Sequence, residues 1–82
     1  MTFSEKLITL RGGRGWSQEK LAQELGVTRQ AVGRWERGSG LPDANSLMAL
    51  ARVFDVDGEW LLDEAATAPG PRRVRRVKLM WY

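Results

Sequence analysis

Between Arg11 and Ser39 the sequence gathers side chains suited to recognition rather than to bond-making. Six are basic (Arg11, Arg14, Lys20, Arg29, Arg34, Arg37), and three acids (Glu19, Glu24, Glu36) oppose them. A guanidinium presents a rigid fork of donors, and a carboxamide pairs a donor with an acceptor. Arg29 and Gln30 are adjacent, and Arg34 lies about one helical turn further on. Groups of these types match flat polar edges and phosphate anions. Bond-making lacks its usual parts. The 82 residues include no Cys and no His. That removes thiol nucleophiles, imidazole bases, disulfides and the common zinc sites together. Asp55 and Asp57 flank a turn, and Asp63 adjoins Glu64. Without a partner base or a convergent pocket, these acids read as helix caps and solvated faces. No enzyme activity, cofactor or metal site is expected.

The elements that must position these groups are legible from punctuation. Thr2 with Glu5 forms a capping-box pattern and opens a helix expected to stop at Gly12 and Gly13. Ser17 caps a second helix, 18–25, ended by Gly26; Thr28 caps a third, 29–37, ended by Gly38. After the loop GSGLP, Asp43 caps a fourth helix to about Phe54, and Asp57 a fifth over roughly 58–64. Apolar residues recur at helical spacing: Leu7 and Leu10; Leu21, Ala22 and Leu25; Val32 and Trp35; Leu47, Leu50, Ala51 and Phe54; Trp60 and Leu61. The fold class read from this is all-α, a compact five-helix domain over 1–65. A linker follows at 66–71 and a basic, hydrophobic tail at 72–82.

The stretch QEKLAQELGVTRQAVGRWER, Gln18 to Arg37, carries the functional reading. Two helices joined by a very short turn cross steeply, so some positions must be small or apolar. Ala22 is small where the third helix crosses, and Gly26 supplies the positive φ of the turn. Leu21, Leu25, Val27, Val32 and Trp35 are the buried positions of a helix-turn-helix. With the loop to LPD and VDGEWLLDE near the end, the chain resembles the phage repressor and Cro type of helix-turn-helix domain, the xenobiotic-response-element transcriptional regulators. The resemblance covers roughly Phe3 to Glu64 and leaves out the tail. It implies that the second helix lies across the phosphate backbone while the third reads base edges. It also implies that Gln18 bonds a phosphate and braces Gln30, and that Arg11 and Glu36 form a buried structural ion pair.

Residues at the start of a groove-bound helix, and one turn on, project toward the base pairs. Thr28, Arg29, Gln30, Gly33 and Arg34 are therefore the expected base-reading row. Arginine pairs bidentately with guanine, and glutamine with adenine. Arg14, Ser17, Gln18, Arg37 and Ser39 are expected at the backbone, where helix starts also offer free N–H groups. Gly33 departs from the polar side chain usual in the family. Glycine inside a helix costs about 1 kcal/mol relative to alanine. Two readings stay open: closer backbone approach to the DNA, or a tolerated substitution on an exposed face. Trp35, Trp60 and Trp16 are expected in the core rather than as base-stacking platforms, and Trp81 is unassigned.

Charge is uneven along the chain. From Gly38 to Ala68 only Arg52 opposes six acids (Asp43, Asp55, Asp57, Glu59, Asp63, Glu64); Arg72, Arg73, Arg75, Arg76 and Lys78 follow with no acid. The expectation is a cytoplasmic, sequence-specific transcriptional regulator, a repressor rather than an activator, acting as a homodimer on a double-stranded DNA operator. The alternative is a DNA-binding antitoxin or adaptor whose tail binds a protein partner or adjoins a membrane. Four apolar residues among the basic ones (Val74, Val77, Leu79, Trp81) favour chain association over a phosphate clamp for the tail. No apolar run is long enough to cross a bilayer.

Overall fold

A computed structural model describes residues 1–63. The expected linker and tail, with Glu64 and Ala65, lie outside the described residues. Five helices follow in order: α1 (Phe3–Gly13), α2 (Gln18–Leu25), α3 (Arg29–Arg37), α4 (Ala44–Phe54) and α5 (Gly58–Leu62). The fold is all-α. Each helix opens on the cap its sequence supplies. Side-chain oxygens of Thr2, Ser17, Thr28, Asp43 and Asp57 accept from the N–H groups of Glu5, Lys20, Ala31, Ser46 and Glu59. At Thr2 the box is reciprocal, with the Thr2 N–H donating to Glu5 Oε1 at 2.9 Å. Such caps satisfy N–H groups that have no partner within the helix.

Four helices end by one device. Gly15, Gly26, Gly38 and Asp55 take a left-handed conformation, with φ of 69°, 73°, 78° and 55°. The next residue in each case, Trp16, Val27, Ser39 or Val56, donates its N–H to a carbonyl five residues back, on Arg11, Ala22, Arg34 or Ala51. This 6→1 closure reverses the chain and satisfies a terminal carbonyl. The first helix ends at Gly13, as expected, and Gly15 makes the reversal. The fourth ends on an aspartate, one of the few other residues that tolerates the left-handed region. The fifth helix stops at Leu62 rather than reaching residue 64, and Asp63 at its end has extended backbone.

The core is built from Phe3, Leu7, Leu21, Ala22, Ala31, Val32, Trp35, Leu50, Ala51, Phe54, Val56 and Leu61, with Leu10, Trp16, Leu25, Val27, Leu47, Val53 and Trp60 packed against it. α3 is held between α1 and α2, α4 packs on α2 and α5, and α5 returns to α1. Trp35 is buried, whereas Trp16 and Trp60 are half-buried. These three tryptophans thus serve packing, with Trp16 tilted against Phe54 at 5.8 Å between ring centroids. Among the described residues one buried residue is charged. Lys6 is fully buried; its ammonium donates to the carbonyls of Trp60 and Asp63 and lies over the Trp60 ring at 4.5 Å. It closes the α5 end and ties it to α1.

Candidate nucleic-acid interface

α2, the turn through Gly26, Val27 and Thr28, and α3 form one rigid corner. Gly26 reverses the chain, Val27 packs against the core, and the Thr28 hydroxyl accepts the Ala31 N–H at 3.1 Å. The turn therefore sets where α3 begins. Thr28, Arg29, Gln30 and Arg34 are all exposed at the start of α3 and one turn on. Ala31, Val32 and Trp35 anchor the opposite side in the core.

Behind this row runs a chain of hydrogen bonds. Arg11 donates through Nε to Glu36 Oε2 at 2.6 Å and through Nη2 to Glu36 Oε1 at 3.0 Å. Its Nη1 donates to the Trp16 carbonyl at 2.8 Å. The Glu36 side chain is 5% exposed and that of Arg11 21%, so the ion pair sits mostly inside, tying α1 to α3. The hydrogen bond to Glu36 raises the Arg11 pKa above its ordinary value, against a smaller opposing effect of burial. Glu36 Oε1 also accepts from Gln18 Nε2 at 2.9 Å, and Gln18 Oε1 accepts from Arg29 Nη1 at 3.4 Å. The brace expected between Gln18 and Gln30 runs instead to Arg29. The physical reason is angular: one residue on a helix turns the side chain by about 100°, and Arg29 lies on the α2 side.

The other expected contacts are placed as follows. The Ser17 hydroxyl caps Lys20 N–H at 3.0 Å at the α2 start. Arg37 and Ser39 are exposed at the α3 end, where the Ser39 N–H closes on Arg34. Gly33 is buried rather than open: a Cβ there would lie 3.1 Å from Arg37 Nη1 and 4.0 Å from Gln18 Oε1. Arg14 turns away from α3. Its Nη2 donates to the Val53 carbonyl at 2.9 Å, and its guanidinium lies 5.2 Å from the centroids of both Trp16 and Phe54. A carbonyl at a helix C-terminus and two ring faces attract a cation together. Lys20, exposed on α2 and paired with Glu24 at 3.0 Å, was not among the expected contacts. Its only signal in the sequence was its place in the basic stretch. Among the described residues no group of three or more carboxylates gathers to hold a metal ion, and no helix is long and apolar enough to cross a membrane.

Residues 7–61 match the family model described as helix-turn-helix. The chain belongs to the helix-turn-helix family. It is 44% identical over 62 residues to the HTH-type transcriptional activator BcrR of Enterococcus faecalis, a match covering 76% of this chain and 30% of BcrR. It is 37% identical over 65 residues to the uncharacterized HTH-type transcriptional regulator YgzD of Bacillus subtilis (strain 168), covering 76% of this chain and 98% of YgzD. Among solved structures it is similar to the P22 c2 repressor in complex with synthetic operator 9T. That likeness has a TM-score of 0.74 at 25% identity and covers 77% of this chain and 96% of the repressor chain. The chain spans only 30% to 56% of BcrR and of two further Bacillus subtilis regulators that it resembles. The phage-repressor type of helix-turn-helix read from the motif is thus the family shown. The domain is a DNA-binding transcriptional-regulator module and not an enzyme.

Proposed function

We propose that this domain recognises a specific double-stranded operator by placing the start of α3 in the major groove, and that it acts as a repressor. One observation carries the reading. Thr28, Arg29, Gln30 and Arg34 form an exposed polar row on a helix whose opposite side is locked into the core. Arg29 and Arg34 pair with guanine edges and Gln30 with adenine. Gln18, Ser17, Arg37 and Ser39 face the flanking phosphates, helped by the N–H groups at the α2 start. Arg14 braces α4 and is left out of that set. The domain works as a homodimer, because a single recognition helix spans only a half-site and two multiply a weak contact. Repression asks only that a compact module occupy its site, whereas activation needs a further surface for the transcription machinery. Its place of action is the cytoplasm, with the operator.

Selection of binding sequences from random duplexes tests this reading. A half-site with defined bases opposite α3 should emerge. Arg29→Ala should then weaken binding by about 1–3 kcal/mol and relax preference at one base pair. Uniform weakening on every sequence would place Arg29 with the phosphate contacts, and recovery of no preferred sequence would refute specific recognition.

A further inference from the structure

Gly33 occupies an unexpected position. At about 100° per residue it falls on the same arc of α3 as Arg29, Gln30 and Arg37. All three of those neighbours are exposed, yet Gly33 is buried. What covers it is the Arg37 side chain: Nη1 lies 3.1 Å from where a Cβ would stand, with Gln18 Oε1 at 4.0 Å from the same point. The Nη1 end of the guanidinium fills the space a side chain at 33 would occupy. Glycine weakens a helix interior relative to alanine. Its φ here is not in the left-handed region, so the turn geometry does not require it.

We infer that Gly33 is a positioning residue, a seat that holds the Arg37 guanidinium against α3 beside Gln18, ready for one DNA backbone phosphate. The inference rests on the DNA-binding reading above. A phosphate, not a base edge, is the ligand, because Arg37 stands in the last turn of α3, at the far end of the helix from Thr28. The Gln18 Oε1 that lies near the seat also receives Arg29 Nη1 at 3.4 Å. An arginine already resting along its own helix gives up fewer rotamers on binding than one extended into solvent, so its contact is stronger.

The test combines Gly33→Gln, Arg37→Met and the double variant. Glutamine fills the seat and is a better helix former, and circular dichroism checks that each variant is folded. On one duplex, Arg37→Met should flatten the slope of log affinity against log salt by about 0.9, one phosphate contact. Gly33→Gln should flatten it comparably, and the double variant should lose no more than Arg37→Met alone. An unchanged slope in Gly33→Gln, or losses that add in the double variant, would overturn the seat. In the second case residue 33 would be meeting the DNA itself. A DNA-free measurement separates this inference from the reading it rests on. In the free protein, ¹⁵N relaxation at Arg37 Nε should report an ordered side chain that becomes mobile in Gly33→Gln. Equal mobility in both proteins would overturn the seat even if DNA binds. Order lost on substitution would sustain the seat in the free domain even if no duplex bound, and the failure would then belong to the DNA-binding reading.

Discussion

Glu36 accepts hydrogen bonds from three nitrogens, two on Arg11 and one on Gln18, and so connects α1, α2 and α3 through one carboxylate. Removing its charge leaves the Arg11 guanidinium largely inside without a counter-ion. Breaking a buried pair costs about 3–5 kcal/mol, against about 1 kcal/mol or less for an exposed one. Because Arg11 keeps some contact with water, Glu36→Gln should fall near the lower end of that range, about 3 kcal/mol, in urea melts. A loss of a few tenths would mean that water already screens the pair. Sequence reasoning reached this pair only through family resemblance, since no local pattern links two residues on separate helices. Lys6 escaped it altogether. A lysine near the start of a helix reads as solvated, and its burial depends on α5 returning to put the Trp60 and Asp63 carbonyls within reach.

The helices themselves were the most legible features, because their boundaries rest on local chemistry. Caps and left-handed terminators act within four or five residues, so Ser17, Thr28, Asp43, Gly26 and Gly38 could be read directly from the chain. Where several glycines lay together, near Gly12, Gly13 and Gly15, composition alone did not say which one turns the chain. The caps also carry a pH dependence. Backbone and side-chain hydrogen bonding with Ser46 holds the Asp43 carboxyl below the usual aspartate range. The folded chain therefore prefers the charged form. The stabilisation from this cap is complete above the unfolded pKa of about 4 and is lost as pH falls through the lower folded value. An asparagine in its place would still offer an oxygen but no charge. In thermal melts across the acid range, Asp43→Asn should show a shallower decline than the parent chain below about pH 4. Parallel curves would show that the Asp43 charge adds nothing to the cap. Since Asp43 is fully exposed, the difference should be small.

Across the whole molecule, charge is divided by region. Residues 1–63 carry eight basic and nine acidic side chains, so the net charge of +3 depends on the five basic residues from Arg72 to Lys78. An attractive field toward a polyanion comes from the total charge as well as from the contact face. A chain ending at Ala68 would carry a formal net charge of −2, since Glu64 remains. Stopped-flow association with an operator duplex should then be slower at low salt and less dependent on salt, with base preference unchanged. An on-rate equal to that of the full chain would show that the α2–α3 face alone draws the DNA.

From the sequence came what neighbouring residues determine: the five helices, their caps, the short turn before α3 and the polar row on its open side. Those follow from hydrogen bonds and periodicities a few residues long. Tertiary structure decided how side chains from distant segments are shared. It sent Arg14 to the end of α4 rather than toward DNA, and gave Gln18 to Glu36 and Arg29 rather than to Gln30. Each of these long side chains has several reachable partners along the sequence. Which one it meets depends on where the packed core sets the next helix.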